Sequence, residues 1–184
     1  MSEEQKKLLK RYGELLERYS GSLNLVSPRV LVELPRHLET ACAYGEPIPA
    51  GETVLDVGSG AGLPAVPLAI CRPDLEVVMV ERRAKRAAFL DLVTASLGLE
   101  NLRVYNGDVR DWQGEAAYVT AQAVAPFDDI YRLVRGSARF PLTIVARKGP
   151  GWRAEAERLG AEAFHVKPLD DGTELVALRL EEAV

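Results

Sequence analysis

Apolar residues along this chain fall first at helical spacing and then in short runs, and that change of pattern divides it. Leu8, Leu9, Tyr12, Leu15, Leu16 and Tyr19 fall at helical spacing with charged residues between them, which predicts an amphipathic helix. Ser2 followed by Gln5 reads as a capping box at its start. Gly21 and the pair Ser27-Pro28 interrupt this helix, and a second one is predicted from about Arg29 to Tyr44, adjusted at Pro35. Beyond the Gly- and Pro-rich stretch 45–51 the apolar runs shorten. Val54–Val57, Val77–Val80, Leu102–Tyr105, Tyr118–Val124 and Leu142–Ala146 read as strands. Pro64–Cys71, Ala84–Leu97, Phe127–Arg135 and Arg153–Leu159 read as the helices between them. Such alternation predicts a mostly parallel sheet covered by helices on both faces. The C-terminal stretch differs, because Ala163–Val166 and Glu174–Leu180 flank a turn, Asp170-Asp171-Gly172-Thr173, so an antiparallel hairpin closes the sheet.

Composition narrows this picture without redirecting it. The 184 residues fit one domain, with 47% hydrophobic and 27% charged residues, as in ordinary globular proteins. The expected division is a helical cap over residues 1–48 and a ligand-binding core over 49–184. Cys42 and Cys71 belong to no paired-ligand motif, which argues against a disulfide framework or a structural zinc and fits a reducing cytoplasm. Cys71 closes the apolar stretch Val66–Ile70, so a packing role is expected for it. Residues 1–7 are charged and carry no apolar signal core, and no run of about 18 apolar residues occurs, so no membrane is expected as a partner. The net charge of −4 means that any surface for a polyanion must be a local patch.

The chemistry concentrates where strands meet helices. Strand Val54–Val57 runs directly into Gly58-Ser59-Gly60-Ala61-Gly62 ahead of a helix. Glycines let a backbone approach a ligand closely, and a helix N-terminus offers unpaired N–H groups. A dinucleotide fingerprint would need Gly or Ala at position 63, where Leu63 stands, so the G-x-G-x-G spacing favours S-adenosylmethionine over a nicotinamide cofactor. Glu81 ends the second strand, where a carboxylate can accept from both ribose hydroxyls. Asp108 ends the third strand within Asn106-Gly107-Asp108, placed to accept from an adenine amino group. Ligands of open α/β sheets bind at those carboxyl ends. A Rossmann-like sheet finished by an antiparallel hairpin is the plan of class I S-adenosylmethionine-dependent methyltransferases.

Five segments then appear in order: Asn24-Leu25-Val26-Ser27, Arg36-His37-Leu38-Glu39, Leu55 to Pro64, Lys85-Arg86-Ala87-Ala88-Phe89-Leu90 and Lys148-Gly149. With these the chain resembles the small-subunit ribosomal RNA guanine-N7 methyltransferases, the glucose-inhibited division protein B family, over about Leu15 to Gly149. The resemblance implies methylation of a guanine in 16S ribosomal RNA, with ribosomal RNA or the small ribosomal subunit as partner; a cytoplasmic location and a monomer are expected besides. By position the resemblance implies cofactor contacts from Gly58 and Leu63, with Val109 and Arg110 beside the adenine; Gly60, Gly62, Glu81, Asp108 and Gln122 complete the candidate cofactor set. The chain departs from the family pattern at Asp108 and Gln122, where arginine is usual, and at Ala65, where glycine is. A paralogue acting on another RNA or a small molecule, or a non-catalytic binding module, stays open as an alternative.

Guanine N7 carries an in-plane lone pair, so its methylation needs no general base, and no Ser-His-Asp or Cys-His set is found. The candidate catalytic set is Lys148, for a phosphate or guanine O6, with Arg36 and His37 closing the pocket from the cap. Arg29, Arg82, Arg83, Lys85, Arg86 and Arg147 complete the candidate RNA contacts, with Tyr44, Trp112 and Trp152 available either for stacking or for the core. No metal is expected.

Overall fold

A computed structural model describes residues 1–122 and 125–183. Helix α1 spans Glu3–Leu23 and opens with the expected capping box, Ser2 and Gln5 exchanging bonds of 3.2 and 2.8 Å. The Gln5 amide also donates to the carbonyls of Ile70 and Cys71 at 3.0 and 3.2 Å, so the cap ties α1 to the core. Gly21 does not interrupt the helix, which runs on to a left-handed Asn24 at φ 49°. A glycine inside a helix costs only about 1 kcal/mol relative to alanine, and the packing of Tyr19 on Phe89, with centroids 5.8 Å apart, outweighs it. The predicted second helix is two, α2 (Pro28–Val32) and α3 (Leu34–Ala43), meeting at Glu33. Pro35 has no N–H to continue the ladder, so the helix re-starts there with proline in its first turn.

The core alternates as expected: β1 (Thr53–Val57), α4 (Ala65–Cys71), β2 (Glu76–Glu81), α5 (Ala84–Leu97), β3 (Leu102–Asn106), β4 (Ala116–Ala121), α6 (Phe127–Val134), β5 (Ala138–Lys148), α7 (Trp152–Arg158), β6 (Glu162–Pro168) and β7 (Glu174–Leu180). The sheet order is β3-β2-β1-β4-β5-β7-β6, parallel except for β7, which runs antiparallel to both neighbours. This is the class I methyltransferase architecture with its C-terminal hairpin. Of the predicted strand Tyr118–Val124, positions 123 and 124 lie outside the described residues.

Each sheet face has its own apolar core. On one, Val54, Val145 and Ala177 pack with Tyr12, Tyr44 and Leu68 from the helical cap and α4. On the other, Leu55, Ala146 and Val176 pack with Phe127 and Trp152 from α6 and α7. Tyr44 and Trp152 are therefore core side chains rather than stacking platforms. Among the described residues no helix is long and apolar enough to cross a membrane.

The cysteine expectation also fails. Cys42 on α3 and Cys71 at the end of α4 are disulfide-bonded, with Cα atoms 5.7 Å apart and a sequence separation of 29. Their spacing follows no local motif, and only the packing of α3 on α4 brings them together. Closing a loop of this length is worth about 3 kcal/mol, or about 6–12 °C in melting temperature for a chain of this size. Dithiothreitol is expected to lower the melting temperature of the wild type by that amount and to leave a Cys42→Ser/Cys71→Ser variant unmoved. An unshifted wild-type melt under reduction refutes the link.

Candidate functional site

The carboxyl ends of β1, β2 and β3 frame a cleft of about 690 Å³. Its lining includes Gly58, Glu81, Asp108 and Val109, so four of the predicted cofactor residues converge. The turn after β1 is built on the neighbouring strand, the N–H groups of Gly58 and Ser59 both donating to the carbonyl of Val80 at 3.0 Å. Glu81 is buried, and its two oxygens accept from the backbone N–H of Gly60 at 2.9 Å and of Arg83 at 2.8 Å. One carboxylate thus pins the glycine loop on one side and the start of α5 on the other. It keeps lone pairs for further donors, since a carboxylate accepts about four hydrogen bonds.

Gly62 sits at φ 95° behind the loop. A Cβ there would stand 2.7 Å from Val66 Cγ2, 3.1 Å from Leu90 Cδ2 and 3.2 Å from the Tyr12 hydroxyl. That hydroxyl donates to the Ala61 carbonyl at 2.9 Å, so α1 braces the loop from outside the core. Leu63, the next residue, packs partly buried against the same cluster rather than lining the cleft.

Asp108 forms an Asx turn with the Arg110 N–H at 3.0 Å and a two-pronged ion pair with the Arg110 guanidinium at 2.9 and 2.7 Å. These contacts hold the Asp108 carboxyl well below the usual carboxylate range. Arg110 therefore positions Asp108 and does not itself line the cleft. Arg82, Arg83 and Arg86 form the cationic rim on the α5 side, Arg86 donating to the Asn24 carbonyl at the end of α1 at 2.6 Å. Gln122 follows β4 and is half-buried at the carboxyl edge.

Asp56, which opens the predicted cofactor loop Asp56–Gly62, was not among the predicted cofactor contacts. It is fully buried in β1, accepting from the Thr120 hydroxyl at 2.7 Å through one oxygen, while the other oxygen has no partner. Burial pushes its carboxyl up to about 6; the nearby Ser59 hydroxyl, which donates to the Asp56 carbonyl at 3.1 Å, and the Thr120 hydroxyl partly oppose that rise. An acidic residue inside an apolar strand just before the glycines was the available signal.

The candidate catalytic set separates. Arg147 and Lys148 are consecutive on β5, and the pleat sends them to opposite faces. Lys148 turns toward α6 and α7, 2.6 Å from a Glu155 carboxylate oxygen and 4.7 Å from the Phe127 ring centroid. Glu155 also accepts from the Phe127 N–H at 2.9 Å, so Lys148 is held in a partly buried ion pair. Arg36 and His37 instead share a small cavity with Arg147 on the other face. Burial, with the Arg147 charge next, lowers the affinity of His37 for a proton. Among the described residues no cluster of three or more His, Cys, Asp or Glu side chains is arranged to hold a metal.

Comparison with known proteins follows the same lines. Residues 5–169 match the family model described as GidB, rRNA small subunit methyltransferase G. A ribosomal RNA small subunit methyltransferase G of Thermobifida fusca is 38% identical over 161 residues, 86% of this chain and 68% of that protein. Its counterpart in Salinibacter ruber is 37% identical over 143 residues, 77% of this chain and 66% of that protein. The chain thus spans about two thirds of the length of these relatives. Among solved structures, a ribosomal protein L11 methylase of Lactobacillus delbrueckii subsp. bulgaricus superposes with TM-score 0.64 at 13% identity, covering 79% of each chain. The precorrin-6y C5,15-methyltransferase of Geobacter metallireducens superposes with TM-score 0.59 at 10% identity, covering 86% of this chain and 91% of that one. These likenesses show the fold, and the sequence matches show the family: the chain belongs to the rRNA small subunit methyltransferase G family.

Proposed function

We propose that this protein transfers a methyl group from S-adenosylmethionine to N7 of a guanine in small-subunit ribosomal RNA. The observation that carries the reading is the Asp56 carboxylate, buried, half-satisfied and next to a glycine cradle that leads to Glu81. A buried carboxylate oxygen without a partner costs free energy unless a donor reaches it, and the ammonium of the cofactor's methionine end is such a donor. Glu81 at the second strand end takes the ribose hydroxyls, and Asp108 with Val109 faces the adenine. Gly60, whose Cβ position meets nothing closer than 3.7 Å, leaves room for the ligand chain beside Gly58, and Gly62 with Leu63 seats the loop on α4.

S-adenosylmethionine supplies an electrophilic methyl group on a sulfonium sulfur. The protein's contribution is alignment: Tyr12 and Glu81 fix the loop, and Asp56 sets the methionine end. In-line approach of a nucleophile that already has its lone pair is worth several orders of magnitude in rate, with no proton transfer required. Gln122 stands at the carboxyl edge of β4, on the side from which the base approaches, while Arg36 and His37 lie with Arg147 on the α3 face of β5. Lys148, neutralised by Glu155, orders the start of α6 on the other face.

The test is transfer of radiolabelled methyl groups from S-adenosylmethionine to small ribosomal subunits and to their naked RNA. Label in 7-methylguanine is expected for the wild type. Glu81→Ala removes a charged acceptor and is expected to weaken cofactor binding about 10- to 100-fold by calorimetry. Absence of cofactor binding by the wild type would sink the reading. Cofactor binding without label in any ribosomal RNA would favour a different methyl acceptor, a reading to which Asp108 and Gln122 in place of the family's arginines already point.

A further inference from the structure

An acidic protein that binds RNA needs a local cationic site, and the one α3 forms with β5 is closed by the protein's own carboxylates. The small cavity of about 10 Å³ between α3, β5 and the β6–β7 turn is lined by Arg36, His37, Arg147 and Asp171, among others. Arg147 is ion-paired with Asp171 and donates to the Thr173 hydroxyl at 2.9 Å. Arg36 is less well served: its guanidinium stands 3.9 Å from Asp170 and 3.9 Å from Asp171, beyond hydrogen-bond reach, and its Nη2 is buried with no acceptor at all. Two planar, permanently charged forks therefore converge on a space too small for a ligand while Asp171 fills it. One of them has a donor left over. Glu33, 3.9 Å from His37, is the remaining carboxylate facing the cavity.

Building on the RNA reading above, we infer that Arg36 and Arg147 form a phosphate clamp for the RNA backbone, and that Asp171 on the β6–β7 turn occupies it as a stand-in anion in the free protein. Guanidinium forks match phosphate oxygens in pairs, and a phosphate entering here satisfies the orphaned Arg36 donor that a short aspartate cannot reach. The turn faces solvent, and Asp171 is held in it by Thr173, whose N–H and hydroxyl donate to the carboxylate at 3.2 and 2.6 Å. Asp170 is 95% exposed, and Gly172 sits at φ 79° with no neighbour within 4 Å of a Cβ position. Asp171 thereby opposes binding of stray anions, and an RNA that meets other contacts along the cleft displaces it. The site lies on the β5 face that packs against Tyr44, whose hydroxyl accepts from the Arg147 N–H at 3.1 Å, so the backbone beneath the clamp is tied to the core.

The test measures the dissociation constant of a fluorescent oligoribonucleotide from small-subunit ribosomal RNA across a salt series, with methyl transfer read in parallel. Asp171→Asn is expected to tighten RNA binding by about threefold or more, because it removes the competing anion. Arg147→Gln and Arg36→Gln are each expected to weaken it about tenfold and to reduce the logarithmic salt slope by about 0.7. A variant that merely loosened the fold would not gain affinity, so the Asp171→Asn result separates the clamp from structural damage. Unchanged affinities and slopes in all three variants, beside a wild type that methylates RNA, overturn the clamp and leave the methyltransferase reading standing. If Arg147→Gln instead weakens S-adenosylhomocysteine binding and spares RNA, the anion held is the cofactor's carboxylate and the inference is overturned. A wild type that neither binds nor methylates RNA overturns both.

Discussion

Gly62→Ala is expected to destabilise the protein by about 3 kcal/mol and to abolish measurable cofactor binding. Two costs add. A non-glycine residue held at φ 95° is strained by about 1–3 kcal/mol. The added methyl also meets Val66 Cγ2 at 2.7 Å, and that branched side chain, fixed in α4, cannot swing aside as a long flexible one would. Overpacking of this kind costs about 1–3 kcal/mol more. The relief available is displacement of the loop, which breaks the Tyr12–Ala61 bond and the Gly60–Glu81 bond together. Urea unfolding and calorimetric titration with S-adenosylhomocysteine measure the two effects. Gly21→Ala is the matched control: it lies in α1 with nothing within 4 Å, and alanine there is expected to stabilise by up to about 1 kcal/mol. Equal effects at both positions would refute the account of the loop.

Asp56→Asn is expected to flatten a pH dependence that the wild type shows in opposite senses with and without cofactor. The folded carboxyl titrates at about 6, above its ordinary value of 3.8, so the fold favours the protonated form. Its contribution to stability is complete below about pH 4 and is lost as pH rises through 6, amounting to about 3 kcal/mol at 1.36 kcal/mol for each unit. Cofactor binding runs the other way, because an ammonium favours the carboxylate. Affinity is expected to fall about tenfold for each pH unit below 6 in the wild type. In Asp56→Asn it is expected to be about 100-fold weaker at pH 7.5 and flat across that window. Tyr12 and Tyr44, the groups that face Asp56, are both pushed up by burial and do not titrate there. His37 is present in both proteins, so comparison of the two removes its contribution. Calorimetry between pH 5 and 7.5 decides the matter: the same slope in both proteins would remove Asp56 from the cofactor site.

The architecture was legible because its signals are local. Short apolar runs marked the strands and helical spacing most helices, and the turn 170–173 marked the terminal hairpin. Where prediction slipped, a short-range rule met a long-range contact. Gly21 reads as a helix stop, yet Tyr19 against Phe89 carries α1 past it. Pro35 marks an adjustment in the sequence, and its missing N–H makes that adjustment a full break at Glu33. The cysteines had no motif to betray them, since they lie 29 positions apart on two different helices that meet only in the packed molecule.

The candidate site divides in the same way. Gly58, Gly60, Gly62, Glu81 and Asp108 announce themselves because each ends or follows a strand, and a parallel sheet places all its strand ends on one edge whatever the side-chain details. Backbone periodicity and turn chemistry were enough to order that edge. They were not enough to say that Lys148 is paired with Glu155 while its neighbour Arg147 faces Arg36, nor that Asp56 keeps an oxygen without a partner. Charge pairing and desolvation depend on distances between residues far apart in the chain. Those distances exist only after the helices, the sheet and its hairpin turn have packed, and so they are properties of the folded molecule and not of any segment in it.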